Sequence, residues 1–249
     1  MKAIVFVDLD ETIFQTRIKN KEGFIPVTNT KNPKYTSYMT PAQSLLWDII
    51  VNHESVSIIP VTLRGIKEYN DTQISKNPKI ITSVLYFSGI ITNNDYADAV
   101  WANHIKSCFL KLKPSLGDIF QELMKNLKKD VFKVEIVDSF YISIKNLSSG
   151  DVDYINQNKA LIKFIEKKII NDEYVVHFKN KNIIILPKFL NKKNSVQYLI
   201  NKYKPDLTIG AGDSLFDWGF MDLCDYKLIP RDSQLEAFIN GEIGNYEKR

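Results

Sequence analysis

The chain has 249 residues, 44% of them hydrophobic and 25% charged, with 33 basic against 29 acidic side chains and a net charge of +4. That length holds one large domain, or a core with a smaller companion, in the vocabulary of a soluble globular protein. The charge is small and dispersed, which calls for no nucleic-acid partner, and no stretch approaches the ~20 apolar residues needed to span a bilayer.

Cys108 and Cys224 stand far apart in apolar surroundings, with no Cys-x-x-Cys spacing. They read as buried free thiols in a reducing compartment. The first apolar run is too short for a signal peptide, so a cytoplasmic protein is expected.

That run, Ala3 to Val7, is β-branched and aromatic without polar alternation. It reads as a strand buried on both faces, as at the centre of a parallel sheet. Asp8 and Asp10 follow at its carboxyl end, where open α/β sheets place their ligand crevice. Two acids one residue apart repel each other unless a divalent cation offsets them, and oxygen ligands suit magnesium. Thr12 adds a hydroxyl. Taken alone, Asp8-Leu-Asp10-Glu-Thr12 reads equally well as a loop in which Asp10 or Thr12 caps a helix.

Residues 13–40 are polar, with Phe24-Ile-Pro-Val27 as the one apolar island, and predict a loop or short hairpin close to the carboxylates. Thr40-Pro41 starts a helix that stops near Asn52-His53. Val56 to Thr62 is a second apolar strand ending in a hydroxyl, followed by Leu63-Arg64-Gly65. Residues 66–76 suggest a short helix, and Ile80 to Phe87 a third core strand ending at Ser88-Gly89. Asp98 to Lys106 reads as helical, with Trp101 and Ile105 on one face.

From about 114 the pattern becomes helix, hairpin, helix, hairpin. A helix from Pro114 carries Leu116, Ile119, Phe120, Leu123, Met124 and Leu127 on one stripe. Strands at Phe132–Val137 and Phe140–Ile144 flank an Asp138-Ser139 turn. A second helix runs over about 153–170, and strands at Tyr174–Phe178 and Ile183–Leu186 flank the turn 179–182. This αββαββ order predicts an antiparallel sheet with both helices on one face, a separate unit inserted into an α/β core.

The core resumes with an amphipathic helix opening at Lys192-Lys193, its Val196, Leu199, Ile200 and Tyr203 inward. Then Asp206-Leu-Thr-Ile-Gly-Ala-Gly212-Asp213-Ser214-Leu-Phe-Asp217 runs a strand into glycines and two acids four residues apart, on one face of the next helix. Tyr226 to Ile229 reads as a last core strand. The tail, with Glu236, Glu242 and Glu247, reads as a polar helix end.

Asp8-x-Asp10-x-Thr12 after a buried strand resembles motif I of the haloacid dehalogenase-like (HAD) superfamily, mostly magnesium-dependent phosphatases with an aspartate nucleophile. Thr62-Leu-Arg64 resembles motif II, with Leu63 where the family often has Gly. Lys192 aligns with the motif III lysine and Lys193 with the Gly that usually follows it. Gly212-Asp213-x-x-x-Asp217 resembles motif IV, with Phe216 where relatives often have Asn. An α+β insert between motifs II and III is similar to the large caps of the Cof-type and sucrose-phosphate phosphatase-like members. The resemblance implies a Rossmann-like parallel-sheet core, residues 1–90 and 188–249, and an α+β cap, residues 91–187. It also implies a flap at residues 13–40.

The implied activity is phosphomonoester hydrolysis through an aspartyl-phosphate, on a phosphorylated sugar or similar small metabolite, with specificity from the cap. Asp8 is then the nucleophile and Asp10 the acid and base. Thr62 and Lys192 bind phosphate. Asp8, Asp213 and the backbone of Asp10 hold Mg²⁺, while Asp217 orients the metal site or Lys192. Thr12, Arg64 and Ser214 are candidate supports, and Glu11 reads as a solvent or flap contact. A phosphohexomutase of the phosphomannomutase type, or a module that binds phosphate without turnover, are the alternatives.

Overall fold

The chain was analysed as a computed structural model, which describes residues 2–16, 25–29, 36–93, 96–147, 151–179 and 181–246. Phe24, Glu247 and Asn180 of the turn at 179–182 lie outside the described residues. In chain order come β1 (Ala3–Val7), β2 (Gln15–Thr16), β3 (Ile25–Pro26), β4 (Ser37–Met39), α1 (Pro41–Asn52), β5 (Val56–Pro60), α2 (Ile66–Asn70), β6 (Ser83–Leu85), β7 (Ile90–Thr92) and α3 (Ala99–Lys111). Then follow α4 (Leu116–Asn126), β8 (Phe132–Val137), β9 (Tyr141–Asn146), α5 (Asp151–Lys168), β10 (Tyr174–Lys179) and β11 (Asn182–Pro187). The chain ends with α6 (Lys192–Tyr203), β12 (Leu207–Ala211), α7 (Leu215–Met221), β13 (Tyr226–Leu228) and α8 (Gln234–Tyr246).

The chain divides into two compact units, Met1–Ala102 with Asn191–Arg249, and Asn103–Leu190. Residues 91–102, read in the sequence with the insert, group with the first unit. Their anchors explain this: Asp98 accepts from Tyr198 Oη at 3.0 Å and from Lys202 Nζ at 2.6 Å, and Trp101 Nε1 donates to the Ser88 carbonyl at 2.7 Å.

The first unit is built on a four-stranded sheet of order β13-β12-β1-β5. All its pairings are parallel, and β1 lies between β12 and β5. Ile4, Val5, Phe6 and Val7 are at most 1% exposed, as a strand covered on both faces requires. The α1 start is a capping box: Thr40 Oγ1 accepts from Gln43 N, and Gln43 Oε1 accepts from Thr40 N.

Four readings of this unit need correction. The third core strand is only Ser83–Leu85; isolated bridges join Ile80 to Ile58 of β5 and Val84 to Val61 just past β5, and Tyr86, Phe87 and Ser88 end the strand by turning the chain with φ of 51°, 55° and 87°. Left-handed backbone costs a non-glycine residue about 1–2 kcal/mol. Gly89 beside them has φ −63°. The helix at 66–76 is two pieces, α2 and a 3-10 turn at Ile74–Lys76. The buried Thr72 splits them, its hydroxyl donating to Tyr69 O at 2.7 Å and accepting from Ser75 N at 3.3 Å. Residues 13–40 hold a three-stranded sheet of order β2-β4-β3, with β4 pairing on both sides, where a loop or hairpin was expected. Asp213 precedes α7, whose N-cap is Ser214, so Asp213 and Asp217 are not on one helix face.

In the second unit the αββαββ order holds. Its antiparallel sheet runs β10-β11-β9-β8. Ile142, Ile144, Ile183 and Ile185 alternate onto one face, where they pack with Leu116, Ile119 and Leu123 of α4, Leu161 and Ile165 of α5, and Ile169 just past its end. The three-residue β8–β9 connection has φ of 43° at Asp138 and 67° at Ser139, and Phe140 N donates to Val137 O at 2.9 Å to close the turn. The helix after Pro114 starts at Leu116, capped by Ser115. Cys108 is only half-buried, with Sγ 3.8 Å from His104 Nε2, which corrects its reading as a core thiol. Cys224 is buried, and burial pushes its thiol up to about 12.

Candidate active site

Asp8 continues the β1 ladder by one residue, its N–H donating to Ala211 O at 2.9 Å. The sheet therefore fixes the backbone that carries the carboxylate, and Asp8 is 5% exposed. Thr12 Oγ1 donates to Asp8 Oδ2 at 3.4 Å. Gln43 Nε2 donates to Thr12 O at 3.2 Å, so the cap of α1 also clamps this loop. Glu11 makes the tight bend with φ 70°, and its N–H donates to Phe14 O.

Opposite Asp8 stands the first turn of α6. Asn191 caps it, accepting from Asn194 N at 2.9 Å. Lys192 is 4% exposed, and its Nζ donates to Asp8 Oδ1 at 2.5 Å and to Asp217 Oδ1 at 2.6 Å. Lys193 is exposed. The lysine that the resemblance aligns with motif III is thus the buried one, and its neighbour faces solvent. Burial alone would depress the Lys192 ammonium, but Asp217 and Asp8 outweigh it and hold it above its ordinary value. Burial pushes the Asp8 carboxyl well above the usual range; Lys192 pulls against this and Asp217 adds to it.

Asp217 is fully buried. Its second oxygen accepts from Ser214 N at 3.0 Å and Ser214 Oγ at 2.6 Å. Its place depends on Gly212, where an added Cβ would lie 2.3 Å from Asp217 Cβ. Glycine lets α7 close on the end of β12. Asp213 is held through its carbonyl, which accepts from Leu235 N at 2.9 Å.

Asp10 is treated differently. Arg64 Nε and Nη2 donate to its two oxygens at 2.8 and 2.6 Å, a bidentate fork. Arg64 also lies over the Phe14 ring at 4.9 Å, and its Nη2 reaches Ser37 Oγ of β4 at 3.4 Å. Thr62, buried at the end of β5, accepts from Arg64 N at 3.2 Å through its hydroxyl.

Oxygens of Asp8, Asp213 and Asp217 all lie within 4.8 Å of one another. Asp8 and Asp213, two of the expected metal ligands, are in this cluster; Asp217, expected only to orient the site, joins them, and the Asp10 carboxylate is held by Arg64, its expected metal contribution being the backbone carbonyl. The converging donors are all carboxylate oxygens, a set that fits a hard divalent cation.

Sequence reasoning missed Gln43, Ser37 and the turn at 86–88. The first had a readable signal, Thr40-Pro-Ala-Gln43 being a capping-box pattern. The other two depend on long-range contacts.

No family model matches the sequence, and no curated relative matches it. Solved structures do. A sucrose-phosphatase from Synechocystis, solved with sucrose and phosphate, is 19% identical over 96% of this chain and 86% of its own, with a TM-score of 0.58. The C-terminal domain of a C. albicans trehalose-6-phosphate phosphatase is 15% identical over 89% and 73%, with a TM-score of 0.59. A haloacid dehalogenase-like hydrolase from Bacillus subtilis is 16% identical over 95% and 87%, with a TM-score of 0.51. Parallel core, αββαββ insert and these likenesses agree: the chain has the haloacid dehalogenase-like fold in its form with an α+β cap.

Proposed function

We propose that the protein is a magnesium-dependent phosphomonoester hydrolase that forms an aspartyl-phosphate on Asp8, acting on a phosphorylated sugar or similar small metabolite. The observation that carries this is the buried Asp8 at the end of β1, fixed by Lys192, whose other bond goes to Asp217. The structures it resembles include a phosphatase holding sucrose and phosphate. That is the ground for a sugar phosphate as substrate class.

Asp8 Oδ attacks phosphorus as the bond to the leaving oxygen breaks. Asp10, once an oxygen is released from the Arg64 fork and has taken up a proton, gives that proton to the leaving oxygen. It then takes a proton from the water that attacks the phosphoryl group, and the Asp8–phosphorus bond breaks to release inorganic phosphate. Such proton transfer is worth about 10²–10⁴-fold. Lys192 and Thr62 serve the phosphoryl oxygens where transition-state charge gathers. Asp8, Asp213, Asp217 and the backbone carbonyl of Asp10 would hold magnesium, which when bound offsets phosphate charge so that an anion can meet an anion.

Phosphate release from a panel of phosphorylated sugars, with magnesium or with chelator, tests the reading. Release from some members that stops in chelator is expected. Full release in chelator, or none from any phosphomonoester, would overturn it.

A further inference from the structure

We propose that Ser88 is a positioning residue for Lys192, held in place by the left-handed turn Tyr86–Phe87–Ser88. The inference deepens the phosphatase reading and rests on it for the role of Lys192.

Ser88 is fully buried. Its Oγ donates to the Asn191 carbonyl at 2.7 Å and lies 2.7 Å from Ser195 Oγ. Ser195 Oγ in turn reaches the Lys192 carbonyl at 3.0 Å. The two hydroxyls share two hydrogens over three contacts, in a chain that runs between the carbonyls of Asn191 and Lys192 on either side of the bond that joins the N-cap of α6 to Lys192. The Ser88 carbonyl accepts from Trp101 Nε1 at 2.7 Å, so the residue is gripped at both ends.

The same turn reaches the other cation. Tyr86 N donates to Arg64 O at 3.1 Å. The Tyr86 ring fills the space beside Gly65, where an added Cβ would lie 2.6 Å from ring atoms. One short segment therefore braces the loop of Arg64, which holds Asp10, and the turn of Lys192, which holds Asp8.

The backbone argues that the side chain at 88 has a task. Tyr86, Phe87 and Ser88 all have positive φ, and none is glycine. A glycine would take the φ of 87° at position 88 without steric cost. Serine brings instead a buried hydroxyl that meets the cap of α6 at Asn191 and its first turn at Ser195.

The test compares Ser88→Gly with Ser88→Ala. Both lose the hydroxyl, and only glycine relieves the backbone. The proposal expects kcat on p-nitrophenyl phosphate with magnesium to fall about 10–100-fold in both, with KM within about threefold. The melting temperature of Ser88→Gly should stand at or above that of Ser88→Ala. Amide exchange at residues 194–196 should quicken in both. A purely structural role would make kcat follow melting temperature. Wild-type kcat in Ser88→Gly, or unchanged exchange at the start of α6, would overturn the proposal. A wild-type protein that releases no phosphate would overturn the phosphatase reading instead, and the exchange measurement would still decide whether Ser88 sets the turn of Lys192.

Discussion

Lys192 meets Asp8 and Asp217 where the three side chains are 3%, 7% and 0% exposed, whereas Arg64 grips Asp10 with side chains 16% and 37% exposed. Both are cation–carboxylate contacts at the carboxyl end of one sheet, in different media. In the first, water cannot replace a lost partner, so one lysine holds two buried acids in place. In the second, two parallel hydrogen bonds give direction, and solvent screens the charge. The buried cluster suits groups that must not move during phosphoryl transfer. The partly exposed fork keeps Asp10 within reach of solvent.

Breaking the buried cluster should have the largest effect. Lys192→Ala should cost ~10²–10³-fold in kcat, by analogy with the removal of a fixed donor at a developing charge. Without metal it should also cost about 3–5 kcal/mol of stability, because two buried carboxylates lose their cation. Turnover on one large and one small phosphomonoester, with melting in chelator, checks both. Lys193→Ala is the paired control and should stay within about 0.5 kcal/mol of wild type with unchanged kcat. Equal effects for the two lysines would end the distinction drawn here.

Opening the fork should cost less. Arg64→Lys keeps the charge and loses the bidentate geometry. Stability should change by under about 1 kcal/mol. Activity should fall roughly 10-fold on an alkyl phosphate such as glucose 6-phosphate, whose leaving group needs a proton, and less on p-nitrophenyl phosphate. An equal loss on both substrates would detach Arg64 from proton transfer.

The smallest effect lies in the other unit. Burial depresses the ionisation of His177 on β10. Its folded value lies below its unfolded one, so acidification protonates the unfolded chain first. Stability should therefore decline as pH falls from about 6.5 toward the folded value, and His177→Gln should flatten that slope. Urea melts of both proteins from pH 7.5 to 5 would show it; parallel curves would remove His177 as the cause.

What the sequence made legible was what periodicity and chain order encode. Ala3–Val7 could only be a covered strand, and the alternation at Ile142, Ile144, Ile183 and Ile185 named the buried face of the insert. The pairing of Lys192 with Asp8 joins residues 184 positions apart, and no local pattern states it. The same holds for Arg64 and Asp10, 54 apart. The strand that ended early at Leu85 failed for another reason. Tyr86 and Phe87 are strong strand formers by composition, yet both take positive φ where Tyr86 meets Arg64 and Gly65, against propensity. The α7 start misled through spacing: four residues apart implies one helix face only if both lie within the helix.

The claim on which the rest depends is that Asp8 carries the phosphoryl group. Rapid acid quench of the protein turning over a phosphomonoester with magnesium, followed by peptide mass spectrometry, tests it directly. One added phosphoryl group on Asp8, absent from Asp8→Asn, is the predicted result. Label on another residue, or wild-type turnover by a folded Asp8→Asn protein, would contradict it.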